Sequence, residues 1–576
     1  MSKVVDFLQG KTLLITGSTG FLAKGLVEKI LRVVPDVERI YLLIRSRGGE
    51  NGGPVLTPTS RLEREILRSS VFGKLREIHG DSFETFARER LVAIDGDLTK
   101  DGLGLDPQEL ARLSSEVQIV INSAATVVFD EQIDEAINLN TLGPQRLLKV
   151  AKTFEKQPLF VHVSTAYVSG QQREPLKEKP LPTDRTLAQI MGGGLNKPFN
   201  PEMAVERMLG VCRDIERDSR KLFRMKRFQR KAARSRGGSQ GGNGDIASAE
   251  KLRFKWLREQ LVSYGMRCAR QMGWHDSYTL TKALGEQLIS LTKGDLPTVI
   301  IRPSIIESSL SEPEPGWLDG LKVADGIIAP FSKGRLPDFP GNPKTTIDLI
   351  PVDFVVNAIL ASIPQIAAQG GINFYHVSSG IQNPIRLREL VDLCHDYFKR
   401  FPMRGRKGEP IRTGRWTYPS PWLFRRWIFM RYQFPLSSLQ WLLERFPTLP
   451  GAKRLKRRVT LLRTIYDRAI YYCSIYSTYT RFNFEFKTDN TTALFRSLSC
   501  EDQGMFGFDV KRINWPKYIQ EVHIPGLKKH VLQTRSESIA DNKASQEGKI
   551  DNISGAIAGS AIDQKAVADN VPTRGG

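Results

Sequence analysis

Short apolar runs of strand length recur along the first 380 residues, separated by segments with helical spacing. KTLLIT at 11–16 leads through a glycine-rich turn into FLAKGLVEKILRVV, whose apolar residues return every three or four positions. ERIYLLIR (38–45), LVAIDGD (91–97), VQIVINSAA (117–125) and LFVHVS (159–164) follow as buried-strand candidates, each separated from the next by helix-compatible sequence. A helix over about 276–293 leads to LPTVIIRPS (296–304), and IDLIPVDFVVNAILASI (347–363) and NFYHVSS (373–379) continue the alternation. Alternating strands and helices predict an α/β fold, a doubly wound parallel sheet of Rossmann type. Beyond about 380 the pattern turns helical, basic and aromatic. Residues 534–576 contain no aromatic residue and are rich in small and polar ones, which predicts a disordered tail. The expected organisation is an α/β domain over 1–380, a smaller, mainly helical C-terminal domain over 381–533, and that tail.

Charge modifies this picture locally. The 576 residues are 40% hydrophobic and 25% charged, an ordinary globular composition, but the formal net charge is +22. Residues 213–236 carry 11 basic and 3 acidic side chains and residues 396–470 carry 18 and 4, which together account for the whole excess. The first stretch precedes a Gly-rich linker, GGSQGGNGD, and a second helix-like run, KLRFKWLREQLVSYGMRCARQ, so about 205–255 reads as a basic helical insert. The second contains PWLFRRWIFMRY at 421–432, where arginines interleave with aromatics. Either these helices turn their aromatics inward beneath a solvated basic face, or the segment suits a lipid-headgroup interface. No nucleic-acid-binding module frames either stretch. The five cysteines form no CxxC pair and no Cys/His cluster, so neither disulfides nor a metal site are expected. The N-terminus enters the first strand without a signal-like apolar stretch and no uninterrupted apolar run reaches membrane-spanning length, so a cytoplasmic protein without a transmembrane anchor is expected.

The first candidate chemistry is the turn Thr16-Gly17-Ser18-Thr19-Gly20-Phe21-Leu22-Ala23. Its glycines lie between the first strand and the first helix, where a backbone without side chains can approach a pyrophosphate at the helix N-terminus. The second strand ends at Arg45, where a basic residue accommodates the 2′-phosphate of NADP(H) rather than the ribose hydroxyl of NAD(H). Asp97 and Leu98, after the third strand, are placed to line an adenine. Ala124 and Ala125, after the fourth, leave room for the middle of a dinucleotide.

The second is Tyr278-Thr279-Leu280-Thr281-Lys282, which sets a phenol and an ammonium one turn apart on a helix. A nearby cation favours phenolate, so Lys282 is expected to lower the Tyr278 pKa and to hold the nicotinamide ribose. Thr165, favoured over Ser164 at the end of the fifth strand, would orient a substrate carbonyl. Asn140 would steady Lys282 through water or satisfy a break in its own helix. His275 and Asp276 read as helix-entry residues, with Asp276 or Ser277 as the N-cap.

Together, TGSTGFLAK, LLIRSR, GDL, NSAATVVFDE, VHVSTAYVSG, GWHDSYTLTKALGE and IIRPSIIESS resemble the fatty acyl-CoA reductases, a branch of the extended short-chain dehydrogenase/reductases. The resemblance covers about 10–380 and continues more faintly over 475–530. It implies NADPH as cofactor, with further contacts from Pro303 and Ser304, and a long-chain acyl-CoA as substrate, reduced to aldehyde and on to a primary alcohol. In that chemistry Thr165 and Tyr278 hold the thioester carbonyl, Tyr278 donates the proton and Lys282 positions the cofactor. The insert at about 205–255 is longer and more basic than the family pattern, and His275-Asp276 departs from it. Competing readings are another extended reductase or epimerase, acting on a sterol, a nucleotide sugar or an aldehyde, and a noncatalytic NADPH-binding scaffold.

Overall fold

The computed structural model describes residues 2–48, 55–170, 174–193, 198–235, 243–334, 338–405, 408–446 and 452–533. The expected tail and most of the Gly-rich linker lie outside them. Seven parallel strands form the central sheet: β1 (Thr12–Thr16), β2 (Arg39–Ile44), β3 (Leu91–Asp95), β4 (Ile119–Asn122), β5 (Leu159–Val163), β6 (Thr298–Pro303) and β7 (Ile372–Val377). Their spatial order is 3-2-1-4-5-6-7. β1 pairs with β2 from Thr12↔Arg39 and with β4 from Leu13↔Ile119. Every residue of β1, β4 and β6 is buried, as expected of strands covered by helices on both faces. The winding direction reverses between β1 and β4, which opens a crevice at their C-terminal ends.

Helix α1 (Phe21–Val33) packs one side of the sheet, and its buried side chains run from Leu22 to Leu31. The excursion between β5 and β6 is wider than its charge pattern outlines. It comprises α2 (Pro201–Ser219), α3 (Leu222–Ser235) and α4 (Asn243–Met272), which lead into α5 (Ser277–Thr292). Val205, Met208 and Cys212 of α2 and Leu261 and Cys268 of α4 join a core shared with α5. The aromatic residues of the insert divide: Phe228 meets Trp256 at 6.3 Å beneath the Arg224 guanidinium, whereas Phe223 and Phe254 are exposed. Several of its charges form helix-surface pairs, such as Arg217–Asp214 and Arg220–Glu216.

The region around 421–446 behaves oppositely. Among the described side chains of the helix Pro421–Ile428, Phe424 and Ile428 point inward, whereas Trp422 is 65% exposed and Trp427, Phe429 and Met430 are open to solvent. The following helix adds exposed Phe434 and Trp441, and α7 (Ala452–Tyr479) adds exposed Leu455, Leu461 and Leu462. Between β6 and β7, α6 (Val352–Gln369) is long and apolar enough to cross a membrane by length and composition. It lies against β5, β6 and α1 instead, with its Asn357 amide donating to the Gly507 carbonyl. All five cysteines are free, and only Cys500 is exposed.

The C-terminal segment closes back on the sheet. The main hydrophobic core contains Val4, Ile30 and Val355 together with Phe506, Tyr518 and Leu527, so it is continuous across residue 380. Glu178 accepts from the His376 amide at the edge of β7 and from the Thr491 hydroxyl, both at 2.7 Å. Deeper, His523 Nε2 lies 3.1 Å from Asp325 and 3.9 Å from Glu307, while its Nδ1 meets Ser308 Oγ at 3.0 Å. Burial opposes a charged imidazole, but the two carboxylates outweigh it and hold the His523 pKa above its usual value. Burial, reinforced by Asp325, pushes Glu307 up to about 8. His523→Ala leaves the buried Asp325 carboxylate without its cation, so we expect a loss of about 3–5 kcal/mol, the scale of a broken buried ion pair. Urea unfolding followed by circular dichroism measures it; an unchanged midpoint would show that the cluster does not join these segments.

Candidate active site

The C-terminal ends of β1, β4, β5 and β6 border a cavity of about 750 Å³. On one side lies the turn after β1. Gly17 has φ +72°, and a Cβ there would sit 2.7 Å from the Ala124 backbone, so a side chain would push the turn off the end of β4. Helix α1 starts at Gly20 without a side-chain cap, which leaves the amides of its first turn free for an anion. Gly17, Gly20, Phe21 and Leu22 all line the cavity. These features fit a dinucleotide pyrophosphate.

Opposite lies α5. Asp276 caps it by accepting from Thr279 N at 2.8 Å, and the Tyr479 hydroxyl donates to the other carboxylate oxygen at 2.6 Å. One turn separates Tyr278 from Lys282, and both face the cavity. The Lys282 ammonium donates to the Val163 carbonyl at the end of β5, at 2.7 Å. Behind it, Glu286 forms a fully buried pair with Arg302 of β6, Nη2 to Oε2 at 2.6 Å. Gly285 allows α5 to lie against the helix that carries Asn140, since a Cβ there would stand 2.4 Å from the Asn140 carbonyl oxygen. The side chains of Thr165 and Tyr278 both border the cavity, and Thr165 Oγ1 donates to the Pro303 carbonyl at 3.4 Å and accepts from Tyr167 N. Phe129 meets the Tyr278 ring edge-on at 5.8 Å.

The electrostatics correct one expectation. Desolvation dominates at Tyr278 and raises its pKa, opposed only by the nearby Thr165 hydroxyl, so the phenol keeps its proton. Burial also draws Lys282 down to about 8, although Glu286 favours its charge. The lysine therefore does not produce a phenolate here. His275 is drawn down to about 4 by burial and lies parallel to Phe482, a neutral ring in an aromatic cluster.

Of the other residues read from the sequence, Ala125, Pro303 and Ser304 line the cavity. Thr16 does not: its hydroxyl donates to Asn122 Oδ1 at 2.6 Å and accepts from Ala124 N, which ties β1 to β4. Thr19 is half-buried in the turn, and Ala124 backs Gly17. Arg45 is exposed past β2 with Nη1 3.8 Å from Asp97, whose carboxylate also accepts from Thr99. Leu98 belongs to the hydrophobic core beside Leu43 and Leu147. Asn140 binds both backbone groups of Thr126 and the Thr281 hydroxyl, so it braces the loop after β4 against α5. Asp276, not Ser277, is the N-cap. The cavity also takes Arg258 from α4, Lys322 and Asp325 from the loop after β6, and Tyr476 and Tyr479 from α7. No local motif marks these five.

A family model described as "Male sterility protein" matches residues 15–359, and a second with the same description matches residues 449–534. The chain is 35% identical over 548 residues to "Fatty acyl-CoA reductase 2, chloroplastic" of Arabidopsis thaliana, covering 92% of this chain and 80% of that protein. It is 34% identical over 546 residues to "Alcohol-forming fatty acyl-CoA reductase" of Simmondsia chinensis, covering 92% and 99%. Among solved structures, the terminal R domain from the myxalamid PKS-NRPS biosynthetic pathway shares the fold with a TM-score of 0.51 at 18% identity, over 90% of this chain and 91% of that one.

Proposed function

The chain belongs to the fatty acyl-CoA reductases, and from that premise we propose how its cavity carries out the NADPH-dependent reduction of a long-chain acyl-CoA to fatty aldehyde and on to the primary alcohol. When bound, NADPH supplies the hydride. Thr165 and Tyr278 donate hydrogen bonds to the thioester carbonyl, where negative charge develops as the carbon is reduced. Tyr278 then gives its proton to that oxygen. The resulting hemithioacetal breaks its C–S bond, CoA leaves as the thiol after taking up a proton, and the aldehyde stays beside the same two hydroxyls. A second hydride and a second proton convert it to the alcohol.

The observation that carries this reading is the convergence of Thr165, a protonated Tyr278 and Lys282 on one cavity, the last two one helical turn apart. A general acid needs its proton, so the raised phenol pKa suits the role better than a phenolate would. Lys282 would hold the nicotinamide ribose, the turn from Gly17 to Leu22 would cradle the pyrophosphate, and Arg45 would meet the 2′-phosphate. Ala124, Ala125, Pro303 and Ser304 surround the nicotinamide half. In this scheme residues 1–380, with the insert, form the catalytic domain and 381–533 the helical domain. Tyr278→Phe is expected to lower turnover of palmitoyl-CoA by at least about 100-fold, the scale of general acid catalysis, while NADPH binding measured by nucleotide fluorescence changes little. Turnover should also fall as pH rises through about 8, where Lys282 loses its charge. Full activity of Tyr278→Phe would refute the assignment.

We further propose a cytoplasmic protein that docks peripherally on an anionic membrane through 421–446 and 452–463. Trp422, Trp427, Phe429, Phe434 and Trp441 are exposed there beside exposed Arg425, Arg426, Arg431 and Arg457. Indole rings and arginines together match an acyl–headgroup boundary, and such a surface brings the cavity to where long-chain substrates collect. Flotation with vesicles containing phosphatidylserine should show binding that weakens with added salt and is lost in Trp422→Ser/Trp427→Ser. Binding indifferent to salt and to anionic lipid would overturn it.

A further inference from the structure

Past Tyr476 and Tyr479 the catalytic cavity meets a second cleft, and the two share Ile305, Val323 and both tyrosines as walls. The cleft runs between the helices Asp325–Ser332 and Leu387–Arg400, with α7 on its third side. No charged side chain lines it. The catalytic cavity itself, by contrast, carries Arg258, Lys282, Lys322, Lys333, Asp130 and Asp325. In the second cleft, away from the shared walls, Trp416 stands edge-on to Phe331, with ring centroids 5.4 Å apart, and stacks on Phe339 at 5.5 Å. All three rings are buried. This is a rigid aromatic floor at the end of an apolar passage.

The substrate has two ends of opposite character. A phosphorylated CoA arm cannot enter a cleft without polar partners, because burying unpaired polar groups costs several kcal/mol each. An alkyl chain gains from the same walls, about fourfold in affinity per buried methylene. The free space is about 50 Å³. Since a water-sized group takes roughly 30 Å³, the cleft admits the last one or two carbons of a chain rather than a whole one.

We propose that this cleft receives the methyl end of the acyl chain and that Phe331 and Trp416 set the longest chain accepted. The inference rests on the acyl-CoA reading above. The thioester lies at Tyr278, the chain passes Tyr476 and Tyr479, and the CoA arm leaves through the charged part of the cavity. Neither Phe331 nor Trp416 touches the reacting atoms, so both act on specificity.

The test gives the full-length protein NADPH and an equimolar mixture of saturated acyl-CoAs from dodecanoyl to tetracosanoyl, and quantifies the alcohols by mass spectrometry. Phe331→Leu and Trp416→Phe, which shorten the floor gently, and Phe331→Ala, which shortens it more, should move the product maximum to longer chains, with a gain of about fourfold for each added methylene the new space accepts. Leu390→Phe, which narrows the cleft, should move it to shorter chains. Affinities for the same thioesters, measured without NADPH, should shift in the same directions. Variants that fold, bind NADPH like the parent and keep its chain profile would overturn the proposal. Failure of the parent protein to reduce any acyl-CoA would instead overturn the reading on which it rests.

Discussion

The buried ion pair between Glu286 and Arg302 fixes the one relation on which the chemistry depends, the position of α5 over the edge of the sheet. Both side chains are at most 1% exposed. A charge pair this deep adds little net stability compared with apolar packing, but each partner tolerates no other arrangement. It therefore locks one helical register. In that register Gly285 meets the Asn140 backbone, Lys282 reaches the end of β5, and Tyr278 comes to Thr165. Sliding the helix by one residue would separate all of these at once.

A second constraint comes from the far end of the sequence. Tyr479 holds the Asp276 carboxylate that caps α5, and His523 lies between two carboxylates of the loop after β6. The same loop and helix supply Lys322, Asp325, Tyr476 and Tyr479 to the cavity. The C-terminal region is thus a wall of the site as well as a neighbour of the α/β domain. It divides the space into a charged part, which suits phosphates, and an apolar part, which suits a hydrocarbon.

The strands, the first turn and the Tyr278–Lys282 pair were readable in the sequence because each rests on local physics: a short apolar run, a glycine with no room for a Cβ, two side chains one helical turn apart. What needed distant partners was not. Arg258, Lys322, Tyr476 and Tyr479 reach the cavity from elements far apart in the chain, and nothing beside them signals it. The direction in which aromatics point was also hidden. Both basic stretches interleave arginines with aromatic rings, yet Trp256 of the insert faces a helical partner while Trp422 and Trp441 face solvent. Tyr278 fell on the wrong side of a competition: proximity to an ammonium favours phenolate, but desolvation of the phenol outweighs it.

A crystal structure of the complex with NADP⁺ tests the central claim most directly. The account predicts the pyrophosphate on the amides after Gly20, the ribose of the nicotinamide half on the Lys282 ammonium, and the nicotinamide ring facing Thr165 and Tyr278. A cofactor bound with its nicotinamide away from those two hydroxyls would contradict it.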